Sequence, residues 1–219
     1  IHGNLASNRW WEPSFKIWKA QANKNSTGRF ICAEWRGCGK SSGPQSVEEF
    51  QPHLLAKDYV HLAKELGLQN VRIVAHSAGG LIGLLALQQA PEIFKAAVLL
   101  DPVFPGGVPF PEERLEAFRR LPDSREFCGQ VMAATIHGVD QQSTFFQELL
   151  DDAFTAHPLV YSGVPSTLKN INYLHLLAEI KQPILILHGE HDWVLPVEAS
   201  QRLADLLPNA RFELIHEHG

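Results

Sequence analysis

Short, mostly apolar runs, separated by helical patterns, most constrain what this chain can fold into. Residues 70–75, 95–101, 183–187 and 211–215 (NVRIVA, KAAVLLD, PILIL and RFELI) each read as a strand. Residues 28–35 (GRFICAEW) read as one more buried strand. Over 53–66, Leu54, Leu55, Tyr59, Leu62, Ala63 and Leu66 recur at helical spacing, and Gly67 follows as a stop. Residues 78–90 read as a helix that ends before Pro91, and 196–207 as a helix that opens at a proline. Such alternation predicts an α/β fold: a mostly parallel sheet with helices on both faces.

The pattern breaks after the strand ending at Asp101. Residues 103–111 are rich in Pro and Gly, and amphipathic helical stretches follow near 112–121, 126–136, 143–154 and 166–180. The expected organisation is one domain over 1–219, with a core of 1–103 and 181–219 and a helical insertion over 104–180. Phe104, Phe110, Phe118, Phe127, Phe145, Phe146 and Phe154 supply that insertion with an apolar core or lining.

Composition excludes several classes. Among 219 residues, 45% are hydrophobic and 20% charged, and the net charge of −5 is interspersed. No basic patch suits nucleic acid or an anionic membrane, and no apolar run is long enough to span a bilayer. Cys32, Cys38 and Cys128 form no CxxC or Cys/His spacing, so neither a disulfide framework nor a zinc site is expected. They read as reduced thiols, which points to the cytoplasm. Asn25-Ser26-Thr27 matches a glycosylation sequon, a short pattern common by chance. The chain opens on Ile1-His2-Gly3 without an initiator methionine and closes on His216-Glu217-His218-Gly219 inside a loop-like stretch. Both ends therefore read as trimmed, which leaves a targeting segment of a longer chain open.

In a parallel sheet the chemistry sits at the carboxyl ends of the strands. Those ends carry His2-Gly3-Asn4, Arg36-Gly37-Cys38-Gly39-Lys40-Ser41, His76-Ser77-Ala78-Gly79-Gly80, Asp101-Pro102 and His188-Gly189-Glu190-His191-Asp192. The Gly39-Lys40 pair is not a phosphate loop, because Glu34 stands where a P-loop needs glycine. Taken in order, these motifs make the whole chain resemble the α/β-hydrolase family, with a helical cap over 104–180. Asn4 after His-Gly is similar to the haloalkane dehalogenases of that fold, but those use an aspartate where this chain has Ser77.

The resemblance implies specific roles. Ser77 would be the nucleophile, on a tight strand-to-helix turn whose neighbours must be small. The family pattern is G-x-S-x-G, and Ala75 departs from it while Gly79 keeps it. Read alone, Ser77 is also a favoured helix N-cap. The amides of Asn4 and Ala78 would form the oxyanion hole. The acid would be Asp192, with Asp101 as the alternative and Glu190 as a supporting neighbour. The base would be a histidine directly after Gly219, with His218 and then His216 as fallbacks. His2 and His188 would be structural, and His76 would pack or line the pocket. Trp10, Trp11 and Trp35 suit either a substrate mouth or the core. The implied reaction is Ser-His-Asp hydrolysis of a small to medium apolar carboxylic ester, without cofactor or metal and with a small-molecule substrate as partner. A C–C bond hydrolase or lyase, a cofactor-free perhydrolase and a non-catalytic ligand-binding relative are the alternatives. The oligomeric state has no signature in the sequence.

Overall fold

A computed structural model describes residues 1–21 and 28–219; the Asn25-Ser26-Thr27 sequon lies outside the described residues. Its centre is an all-parallel sheet of β1 (Val71–His76), β2 (Phe94–Leu100), β3 (Ile184–Gly189) and β4 (Ala210–Ile215), in that spatial order. Ala75 lies opposite Leu99, Leu100 opposite Leu187, and Gly189 opposite Ile215. That register brings the carboxyl ends of the strands level, so the loops that follow them meet at one end of the sheet.

The helices follow from their patterns. Helix α1 (Glu12–Gln21) buries none of its residues. Helix α2 (Pro52–Glu65) opens on proline, where a missing N–H costs nothing. It closes where Gly67 turns left-handed at φ +61° and the Leu68 amide donates to the Ala63 carbonyl at 2.8 Å. Helix α3 (Ala78–Gln89) is apolar on all sides, and Ala78 to Leu87 are buried without interruption. It packs between α2 and the strands β1 and β2. Gly83 permits the approach, because a Cβ there would meet Ile73 Cγ2 at 3.1 Å and Ala75 Cβ at 3.4 Å.

Between β2 and β3 the chain forms α4 (Glu112–Arg119), α5 (Arg125–Ala134), α6 (Thr144–Phe154) and α7 (Pro158–Leu168). Ser124 and Ser143 accept from the Phe127 and Phe146 amides and so cap α5 and α6. Leu115, Leu121, Cys128, Phe146, Leu150 and Val164 fill this segment's interior. Phe50, fully buried, presses on α7 at Gly163, where a Cβ would come within 2.6 Å of its ring. Helix α8 (Val197–Leu206) begins after Pro196 and packs on β3 and β4.

Two expectations are corrected. Residues 28–35 form no strand. Their carbonyls are taken by side chains instead of a neighbouring ladder: Cys32 by Asn8 Nδ2, Ala33 by the Tyr59 hydroxyl and Glu34 by the Ser41 hydroxyl. Nor do residues 166–180 form one helix. Helix α7 starts at Pro158, carries Pro165 inside and ends at Leu168, and a 3₁₀ stretch covers Leu174–Glu179. The stop has a visible cause: the Val108 amide bonds the Leu168 carbonyl at 3.1 Å, and Gly107 lies against the Leu168 and Ile171 carbonyls.

No helix among the described residues is long and apolar enough to cross a membrane. Leu81 is fully buried and Leu206 is 43% exposed. Leu81→Ala should therefore cost about 2–5 kcal/mol in urea unfolding, and Leu206→Ala less than about 1 kcal/mol.

Candidate active site

The end of β1 is a strained turn. Ser77 sits at φ 56°, ψ −125°, a left-handed conformation that is costly for a residue with a Cβ. Neighbouring backbone holds it there. The Ser77 amide donates to the Leu100 carbonyl at 2.9 Å, and its own carbonyl accepts from Gly80 at 2.9 Å and Val103 at 3.0 Å. These are not cap angles, and the Ser77 side chain makes no capping hydrogen bond to α3. A methyl group on Gly79 would collide with the His2 carbonyl, and one on Gly80 would meet Pro102 Cβ at 2.7 Å. The departure at Ala75 is absorbed because it faces Gly83, which has no side chain. Ala78 opens α3, where amides lack an intrahelical partner and the helix dipole is positive.

Residues 1–4 lie along this turn. The His76 amide donates to the Ile1 carbonyl at 3.0 Å, and a Cβ on Gly3 would stand 3.1 Å from Ser77 Cβ. Asn4 therefore follows directly on a residue that touches the serine. His2 is buried; its Nδ1 lies 2.8 Å from the Gly3 carbonyl, and its Nε2 accepts from the Trp35 amide at 3.3 Å. A carbonyl can only accept, so Nδ1 carries the proton. Burial lowers the His2 pKa to about 3. His76 also has a lowered pKa, through burial first, opposed by the charges of Asp101 and Asp192. Its ring stacks on Trp10 at 5.6 Å, which places Trp10 beside the serine, whereas Trp35 is buried in the core.

Both candidate acids arrive at the same place. Asp101, left-handed at φ 44°, accepts from the Gly189 amide through Oδ1 at 2.8 Å and so ties the end of β2 to β3. Asp192 Oδ1 accepts from the Val194 and Leu195 amides at 2.7 and 3.1 Å. Burial raises the Asp192 pKa and the Asp101 charge adds to that, against the two amides. His188 lies between them, 3.8 Å from Asp101 and 3.7 Å from Asp192. Its Nε2 donates to the Leu195 carbonyl at 3.1 Å, and its Nδ1 accepts from the Ser200 hydroxyl at 2.7 Å. Donor atoms of Asp101, His188 and Asp192 gather within 4.8 Å, but with both His188 nitrogens engaged the set does not suit a metal ion.

The two fallback bases have other partners. His216 is 3.2 Å from Glu190, and His218 Nδ1 meets the His216 carbonyl at 2.8 Å. Gly219 packs on the acid loop so closely that a Cβ there would collide with the His191 backbone. The His191 amide bonds the His218 carbonyl at 2.7 Å, and the His137 amide bonds the Gly219 carbonyl at 2.8 Å. Sequence reading missed this reach of the helical segment, as it missed the Trp193 indole donating to the Ala134 carbonyl. Trp193 is 61% exposed, an unusual state for tryptophan; the hint in the sequence is its place directly after Asp192. A separate cleft of about 590 Å³, lined by Glu34, Trp35, Arg36, Glu49, Asp58 and Tyr59 among others, contains none of Asn4, Ser77, Ala78, Asp101 and Asp192.

A model of the α/β hydrolase fold matches residues 1–219. The chain belongs to the α/β-hydrolase fold family. It is 28% identical over 194 residues to RutD of Pseudomonas savastanoi pv. phaseolicola, whose name assigns it carbamate hydrolysis; the match covers 84% of this chain and 73% of that protein. It is 25% identical over 214 residues to human protein ABHD8, covering 93% of this chain and 48% of that protein, so it spans about half of that relative's length. An esterase from Exiguobacterium antarcticum has the same fold, with a TM-score of 0.87 at 20% identity over all of this chain and 82% of that one. These likenesses agree with the family assignment, and the solved structure shows the shared fold.

The buried histidine of this α/β hydrolase sets an acid limit. An unfolded histidine takes its proton near pH 6.5, and folded His2 only near pH 3. Between those values the unfolded chain binds more protons, so stability is lost as pH falls through that window. His2→Asn should flatten the fall by on the order of 3 kcal/mol between pH 7 and pH 4, measured by urea unfolding at each pH.

Proposed function

We propose that the protein hydrolyses a small to medium apolar carboxylic ester through an acyl-enzyme on Ser77. The observation that carries this reading is the left-handed serine whose side chain is not used as a cap, at the mouth of an apolar helix. Ser77 Oγ attacks the ester carbonyl and gives its proton to a general base. The oxyanion rests on the Asn4 and Ala78 amides, the alcohol leaves with the proton, and water then hydrolyses the acyl-serine. Asp192 orients the base. The base itself is assigned to the position after Gly219, a histidine in the family pattern. Support for this is the packing of Gly219 on the backbone beside Asp192. Residues 104–180 act as a cap that covers the site. The similarity to RutD favours a second reading, in which the carbonyl attacked is that of a carbamate.

A fluorophosphonate probe should label the whole protein at Ser77, located by peptide mass mapping. Ser77→Ala should abolish labelling and lower ester turnover by at least about 10⁴-fold. An unlabelled, folded wild-type protein would count against catalysis by this serine.

The acids separate by substitution. The raised Asp192 pKa means that the fold prefers its neutral form, so stability is lost as pH rises past the ordinary carboxylate range toward the folded value. Asp192→Asn should therefore stop turnover at neutral pH without lowering the melting temperature. Asp101→Asn should keep turnover within about tenfold. The opposite ranking would make Asp101 the acid.

A further inference from the structure

The loop that carries Asn4 is held from outside. Leu5 is left-handed at φ 55°, and Ser7 is buried and accepts from the Arg9 amide at 3.1 Å, capping a 3₁₀ turn over Asn8–Trp11. Glu34 accepts from the Asn8 amide at 3.3 Å, and Asn8 Nδ2 donates to the Cys32 carbonyl at 3.2 Å, which braces one side. The other brace comes from α6. Asp152 Oδ2 accepts from the Ser7 hydroxyl at 2.5 Å and from Arg9 Nε at 2.9 Å. One carboxylate oxygen thus closes a ring of three side chains on the residues just after Asn4.

Asp152 is rigidly placed. Its neighbours Leu149, Leu150 and Ala153 are buried, and Asp151 is held by Arg125 at 2.6 Å. Arg9 also reaches Glu148 at 3.2 Å and Glu12 at 3.4 Å, but those carboxylates are about half exposed, at 45% and 42%, against 24% for Asp152. Charge-assisted bonds to the more buried carboxylate are the strong members of such a set. Losing the outer ones changes little.

We infer that Asp152 is a positioning residue for the oxyanion hole. Seated on α6, it fixes the Ser7–Arg9 turn and through it the Asn4 amide, so the helical segment completes the site as well as covering it. This rests on the reading of Ser77 and Asn4 given above. An oxyanion donor acts only when held at hydrogen-bond distance from the developing charge, and a displacement of about 1 Å can cost 10²-fold.

The test measures ester kinetics, Ser77 phosphonylation and thermal melting on the whole protein. Asp152→Asn keeps the size but loses the charge, and Ser7→Ala removes one arm of the ring. Both should lower kcat by about tenfold or more with KM within about twofold, and slow phosphonylation in parallel. Glu148→Gln, one turn away on the same helix, should leave all three readouts unchanged. The inference is overturned if folded Asp152→Asn keeps kcat within twofold of wild type, or if Glu148→Gln slows turnover as much. It is also overturned if only KM moves, which would mark Asp152 as a contact that seats the cap alone. Should Asp152→Asn fail to fold, Ser7→Ala decides on the same criteria. Absence of phosphonylation in the folded wild type overturns the Ser77 reading first, a result distinct from all of these.

Discussion

Ser77 is held in a backbone conformation that it would not adopt alone, and the architecture around it is arranged to keep it there. A left-handed non-glycine residue at a site of this kind costs about 1–3 kcal/mol. The opposing bonds come from separate pieces of chain: the Leu100 carbonyl at the end of β2, the Val103 amide beyond it, and Gly80 in the first turn of α3. Each needs close approach, which explains the run of small residues. Gly79 admits the His2 carbonyl, Gly80 admits Pro102 and Gly83 admits Ala75. Helix α3 can sit so deep only because it carries no polar face. The strained turn, the buried helix and the level strand ends are one constraint seen at three scales.

The same geometry sets the electrostatics. Level strand ends bring Asp101 and Asp192 into one neighbourhood, where two negative charges disfavour each other. Their surroundings then divide the work. Asp101 is bound to the Gly189 amide, the first group beyond the β2–β3 pairing, and so serves the sheet. Asp192 has one oxygen fixed by two amides of its own loop. Burial raises its pKa, so a partner cation arriving at its other oxygen would relieve a cost already present in the fold. That asymmetry favours Asp192 as the orienting acid more directly than its place in the chain order does.

Much of this was legible in the sequence, for reasons that differ by element. Val71–His76 and Ile184–Gly189 are apolar runs that can be satisfied only inside a sheet, and Pro52, Gly67 and Pro196 mark helix ends by their backbone chemistry. The strand expected over 28–35 failed because its apolar pattern says nothing about what accepts its hydrogen bonds, and here side chains of Asn8, Ser41 and Tyr59 take that place. Helix α7 was hidden by Pro165 and Gly163, both poor helix formers; Pro165 is buried, and Gly163 is required by the ring of Phe50. At the site, Ser77 and Gly79 were readable because the turn demands those residue types. Asp152 was not. An aspartate on an amphipathic helix carries no local sign that its partner is an arginine 143 positions away.

The helical segment meets the core through two kinds of contact, and the difference determines where it can give. At Gly163 it is keyed to Phe50, a fully buried ring whose removal would cost about 3–5 kcal/mol. Near the site it is joined by polar groups: Trp193 to Ala134, His137 to Gly219, and Asp152 to Ser7 and Arg9. The neutral contacts can be exchanged for water at a net cost of about 1 kcal/mol each, and the charged Asp152 contact at about 1.5–3 kcal/mol. The Phe50 contact is therefore the costlier of the two to break. One carboxylate, Asp152, ties α6 to the turn just after Asn4, so the helical segment and that loop are held by the same group.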